Sequence, residues 1–186
     1  TSFLLIYTPF FFVLLIPFYQ VFFKQDDVYK KINLDIYQIL SPIYKINKVK
    51  IKQNIIDIIE SSESDYIIFA ENNYPYLFDE FSYLDLSKHI KNNKKVVIGA
   101  TRKKDDEYYN SFIFIEKDSI QYFDKKILVP FGEFLPLRKY LKFMELIAGT
   151  VDYKTGNNPR VLTTKDNIKI LPIICYEIIF DKVFKD

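Results

Sequence analysis

The 186 residues are 49% hydrophobic and 18% aromatic, which suits one folded domain with a sizeable core and excludes a disordered segment. With 26 basic and 24 acidic residues the net charge is +2, and no basic stripe stands out, so no nucleic-acid partner is expected. A single cysteine, Cys175, excludes an internal disulfide, and the single histidine, His89, stands beside Lys88 and Lys91 as a surface residue with no metal cluster around it.

The first 23 residues differ in kind from the rest. Ser2 to Phe23 carries no charge and is built from Leu, Ile, Val, Phe and Tyr with Thr8, Pro9, Pro17 and Gln20. As a helix this stretch would span about 33 Å, enough for a hydrocarbon core of roughly 30 Å. A secretory signal has a shorter apolar region behind a basic start, and nothing basic precedes this one. A buried helix is the other alternative; the two prolines and the unbroken apolarity argue against it. The expected layout is a transmembrane helix over 1–23, a charged connector over 24–33 and a domain over 34–186. Thr1 lies directly against the span, so further residues are expected upstream.

Leu34 to Leu40 alternates as a first strand and ends at Ser41-Pro42. Ile51, Ile55, Ile58 and Ile59 recur at helical spacing, predicting an amphipathic helix over 49–61. Tyr66 to Ala70 is an apolar run of strand length with Glu71 at its C-terminal end, and Asn72-Asn73-Tyr74-Pro75 breaks it. A helix is expected over 77–92, a buried strand over 94–100, and a hairpin of 111–116 with 120–123 across Lys117-Asp118-Ser119. The segment Lys125 to Pro136 follows, with two prolines, a glycine, and a Lys eight residues before Glu133; it is too broken for a helix. A short helix over 137–147, a turn at Gly156-Asn157-Asn158-Pro159 and a last strand over 168–174 complete the reading. Strands alternating with helices indicate an α/β architecture.

Glu71, Lys125 and Cys175 each lie just past the C-terminal end of an expected strand, where ligands bind in open α/β sheets. A thiol attacks as its thiolate, and a neighbouring carboxylate such as Glu71 can take its proton and later return it. Lys125 and the Tyr176 backbone N–H would then face the oxyanion that develops. Each residue also has a plainer reading. Cys175 can be a small buried hydrophobe, Glu71 and Lys125 surface charges, and Glu133 a structural ion-pair partner.

The local contexts resemble the nitrilase (carbon–nitrogen hydrolase) superfamily, and within it the apolipoprotein N-acyltransferases. The motifs are Ile67-Ile68-Phe69-Ala70-Glu71 with Pro75 following, Phe123-Asp124-Lys125-Lys126-Ile127-Leu128-Val129-Pro130-Phe131-Gly132-Glu133, and Ile174-Cys175-Tyr176-Glu177 with Phe180 following. Asn110-Ser111, and Gly156 with Pro159, also fit. The resemblance covers about residues 3 to 180, and its register selects Lys125 over Lys126. It implies a four-layer α-β-β-α sandwich preceded by one transmembrane helix, a catalytic set of Glu71, Lys125 and Cys175, and supporting roles for Glu133, Tyr176 and Glu177. It further implies an acyl chain passing from a phospholipid donor to Cys175 and then to the N-terminal amine of a diacylglyceryl apolipoprotein acceptor. No metal or organic cofactor is needed. The setting is a bacterial inner membrane, with the catalytic domain on the periplasmic side.

Some positions depart from the pattern: Phe69 where Trp is usual, Asn72-Asn73 for small residues, Ile127 for His, and Asp181 for Pro. Family members continue well beyond the nucleophile, so the sandwich is expected to be incomplete and the chain a fragment, inactive by itself. Two other readings compete. One is a membrane-tethered amidase or nitrilase; the other is a membrane-anchored remnant without catalysis or a domain that binds lipoproteins.

Overall fold

The computed structural model describes residues 31–40, 46–91, 93–145 and 151–184. The expected membrane span over 1–23 lies outside them, and among the described residues no helix is long and apolar enough to cross a membrane.

Strand β1 (Leu34–Tyr37) leads to helix α1 (Lys48–Ser61), close to the range its Ile periodicity predicts. Asn47 caps that helix, its side chain accepting from the Lys50 N–H at 3.0 Å, and Ile55 and Ile59 are fully buried. Strand β2 (Tyr66–Phe69) is apolar on both faces, as a central parallel strand must be. It pairs in parallel with β1 on one side and with β3 (Lys95–Lys104) on the other. Strands β4 (Glu107–Glu116) and β5 (Ser119–Asp124) follow as antiparallel hairpins, giving one sheet in sequence order β1 to β5.

The β3–β4 connection is a two-residue turn at Asp105-Asp106, both at positive φ, the geometry that suits a tight hairpin. This hairpin extends the expected 94–100 strand by four residues. Helix α2 (Glu80–Ser87) is shorter than the 77–92 expected from sequence. Its later start has its cause upstream: the Tyr74 and Phe78 N–H groups donate to the Gly99 and Thr101 carbonyls, so 74–78 runs along β3 and cannot coil. Asp79 then starts the helix by accepting from the Ser82 N–H at 2.8 Å.

Helices α1 and α2 cover one sheet face, where Ile55, Ile59, Leu86 and Ile90 pack with Ile67, Phe69, Val96, Ile98, Ile113 and Ile115. On the other face Val97, Phe114 and Phe123 pack with Leu162 and Ile174. The expected strand over 168–174 is reduced to β7 (Lys169–Ile170), which pairs with β6 (Leu162–Thr163) in a separate two-stranded sheet. Pro172 offers no N–H, its carbonyl accepts from Arg160, and the Ile174 N–H donates to Glu177, so this stretch has no ladder to join. The helix expected over 137–147 is, as far as Glu145, a set of turns with one 3-10 turn at Lys142–Met144.

Candidate active site

Because β3 and β5 both run antiparallel to β4, β5 points the same way as β2. The residues that follow β2 and β5 therefore emerge at the same edge of the sheet. This brings Glu71 and Lys125 together across the two intervening strands. The Lys125 N–H donates to the Asn110 carbonyl on β4 at 2.9 Å, which fixes the exit of its chain. Two glycines let the backbone close up here. A Cβ on Gly99 would lie 2.6 Å from the Glu71 Cα, and one on Gly156 would collide with the Asp124 carbonyl.

Lys125 is 1% exposed. Its Nζ lies 3.0 Å from Glu133 and 3.6 Å from Glu71 Oε1. Asn110, equally buried, donates from the one Nδ2 to Glu71 Oε1 and to Glu133 Oε1, each at 2.6 Å. Glu133 is anchored from its other oxygen by the Val129 N–H at 2.8 Å, a bond made within the Val129-Pro130-Phe131-Gly132-Glu133 loop. One ammonium thus lies among two carboxylates and an amide. Glu133 is the buried partner that holds Lys125, while Glu71, its side chain one third exposed, faces open space.

Cys175 is an exposed free thiol at the start of a 3-10 turn, Cys175–Ile179, with φ 53°. A left-handed conformation in a residue with a Cβ costs on the order of 1–3 kcal/mol and persists only where its surroundings impose it. Glu177 imposes it here. Fully buried, its carboxylate accepts from the Ile174, Lys126 and Ile127 N–H groups and pairs with Arg160 at 3.2 Å. These bonds tie the turn carrying Cys175 to the start of the loop carrying Lys125. Tyr176 adds a second tie by donating its hydroxyl to the Leu128 carbonyl, and its ring lies 5.8 Å from Lys125 Nζ.

Glu71 and Cys175 line one cavity of about 210 Å³, together with Gly99, Ser111 and the apolar Ile68, Val97 and Phe112. The carboxylate cluster and the thiol are thus neighbours, joined by this cavity and by the Glu177 tie rather than by a direct hydrogen bond among the described residues. A thiol and a partly exposed carboxylate on one cavity, with a buried ammonium 3.6 Å from that carboxylate, have the parts for covalent acyl chemistry.

Among the described residues no group of His, Cys, Asp and Glu could hold a metal ion. His89 contacts Glu60 at 2.6 Å on the surface. Sequence reasoning gave Asn110 no role and missed Arg160. The signal for Asn110 was a polar pair, Asn110-Ser111, interrupting an otherwise apolar strand. Arg160 had none, because its partner is 17 residues away.

The chain is similar to curated apolipoprotein N-acyltransferases. It is 32% identical over 125 residues to that of Helicobacter pylori, covering 66% of this chain and 29% of the relative. It is 41% identical over 87 residues to that of Rickettsia typhi, covering 45% of this chain and 18% of the relative. The chain therefore spans less than a third of the length of these relatives. No protein-family profile matches it. In fold it resembles the crystal structure of the C. elegans NitFhit protein, with a TM-score of 0.50 at 16% identity over 82% of this chain and 40% of that one. The chain is thus homologous to a stretch of the apolipoprotein N-acyltransferases, on a mixed α/β, nitrilase-like fold.

Proposed function

We propose that this chain carries the reactive centre of an apolipoprotein N-acyltransferase, with Cys175 as nucleophile, Glu71 as general base and acid, and Lys125 as oxyanion partner. The observation that carries the reading is the buried Lys125 held by Glu133, itself bonded by Asn110, beside a cavity that Glu71 shares with Cys175.

In the first half-reaction Cys175 Sγ attacks the ester carbonyl of a phospholipid acyl chain while Glu71 takes the thiol proton. The tetrahedral oxyanion is met by Lys125 and by the Tyr176 N–H. Collapse breaks the ester bond, and Glu71 returns the proton to the departing lysophospholipid alkoxide, leaving a thioester on Cys175. In the second half-reaction the α-amine of a diacylglyceryl-cysteine apolipoprotein attacks the thioester. Its proton goes to Glu71 and then to the released thiolate. Glu133 keeps Lys125 in place through both steps, and Glu177 keeps the nucleophile turn against the Lys125 loop.

The same reading extends to the architecture. Helices on one sheet face and a small antiparallel pair on the other give three layers, α-β-β, consistent with an incomplete four-layer α-β-β-α sandwich. Lipid substrates and the apolar stretch before Lys24 support a span over 1–23, a connector over 24–33 and a domain from residue 34, set at the inner membrane with the reactive centre on the periplasmic side.

Against the expectation that the chain is inactive by itself, the acyltransferase reading predicts that membranes containing the protein, incubated with phosphatidylethanolamine, yield an acyl thioester on Cys175 by mass spectrometry, absent in Cys175→Ala. Ammonia released from small amides without any adduct would instead make the protein a carbon–nitrogen hydrolase. With neither adduct nor ammonia, the acyltransferase reading fails.

A further inference from the structure

The loop carrying Glu133 is held from outside by a second charged group that the acyl chemistry does not use. Arg138 donates from Nε to Asp152 Oδ2 at 2.8 Å and from Nη2 to Oδ1 at 2.5 Å, a two-pronged pair, while its Nη1 reaches Glu145 Oε1 at 2.9 Å. Asp152 Oδ1 also accepts from the Leu135 N–H at 2.8 Å, two residues past Glu133. The next residue completes the hold: the Tyr153 N–H donates to the Glu133 carbonyl at 2.8 Å.

The 152–154 segment is fixed in turn to the β3–β4 ribbon. The Tyr153 hydroxyl bonds Thr101 Oγ1 at 2.7 Å, and the Lys154 N–H donates to the Tyr108 carbonyl at 2.7 Å. The bonds thus run from the sheet through 152–154 to the Glu133 carbonyl and to Leu135 just after it, with Arg138 closing them from the far end of the loop. By contrast, the hydrogen bonds that shape the loop itself, from the Phe131, Gly132 and Glu133 N–H groups, stay inside it and set its form rather than its place.

We propose that Arg138 and Asp152 form a positioning clasp that sets the location of Glu133, and through it the Lys125 ammonium, relative to Cys175. The proposal rests on the reading of Lys125 and Cys175 as the reactive pair. Neither clasp residue touches a reacting atom. They act by fixing where the carboxylate that holds Lys125 stands, and displacements of about 1 Å at a reacting centre cost on the order of 100-fold in rate. A lysine at 138 keeps the charge but not the fork that grips both Asp152 oxygens.

The test uses the full chain in membranes or detergent, with two readouts. Asp152→Asn and Arg138→Lys are each expected to speed amide exchange in 129–136 while β3–β4 keeps its protection. Each is also expected to slow thioester formation on Cys175 by roughly 10- to 100-fold, with little change in the phospholipid concentration needed for half-maximal rate. Swapping the charges, Arg138→Asp with Asp152→Arg, should recover part of the rate. Unchanged exchange in 129–136 overturns the clasp, as does faster exchange with an unchanged acylation rate. Loss of protection throughout β3–β4 assigns the pair to general stability and also overturns it. If the parent protein makes no thioester, the acyl-transfer reading fails, and exchange in 129–136 alone decides the clasp.

Discussion

Lys125 is an expensive residue to bury, and its neighbours explain why it is retained. An ammonium taken out of water costs several kcal/mol unless a charge and hydrogen bonds replace the solvent, and Glu133 supplies both, with Glu71 Oε1 at 3.6 Å as a second negative charge. Removing one partner of such a pair leaves the other charge stranded. We expect Lys125→Met to lower unfolding free energy by about 3 kcal/mol, measured by urea titration. Adding Glu133→Gln should return most of that stability but none of the thioester formation. That outcome would separate folding from chemistry at one position. Glu177 and Arg160 are a second buried pair, at 0% and 3% exposure, on the Cys175 side. Glu177→Ala should cost a similar 3–5 kcal/mol and release the turn that places Cys175, so its thiol should lose acylation even where the protein stays folded.

Among the elements, α2 shows how local chemistry and tertiary pairing divide the work. Its Leu86 and the following Ile90 belong to the core, but its start is set by Asp79 and by the strand-like pairing of Phe78 just before it. The Ser82 N–H and hydroxyl hold the Asp79 carboxyl below the ordinary carboxylate range. A carboxylate with a lowered folded pKa adds stability that is present above its unfolded value of about 3.9 and is lost as pH falls through the folded value. Asp79→Ala should therefore cost about 1 kcal/mol at neutral pH, and the gap from the parent should close as the pH falls below 4. Denaturant melts of the two proteins at pH 7 and pH 3 check this. Helix α1 was legible from its isoleucines because its periodicity is local. The expected 137–147 helix and 168–174 strand were not: Leu137 takes a positive φ of 52° and the Tyr140 and Leu141 N–H groups close only local turns on Leu137 and Arg138, while the Ile174 N–H is given to Glu177.

At the scale of the molecule, β3 and β4 are the backbone of the domain, paired over ten residues each and covered on both faces. Native-state amide exchange should be slowest at Val96, Ile98, Ile113 and Ile115, and fastest among the strands at the two-residue β6–β7 pair, since local opening follows the amount of apolar burial. The site is built on the slow part: Glu71 crosses over Gly99, and Asn110 sits on β4 beside the Lys125 exit. The sequence by itself determined the apolar core strands and α1 and singled out Glu71, Lys125 and Cys175 as candidates, because apolar periodicity and short motifs are properties of neighbouring residues. Only the tertiary structure decided that β5 runs with β2, so that Glu71 and Lys125 leave the sheet at one edge. It also decided that Asn110 joins two carboxylates and that Glu177, paired with Arg160, ties the Cys175 turn to the Lys125 loop. Those relations depend on strand order and on contacts between residues tens of positions apart, and no local pattern in the chain encodes them.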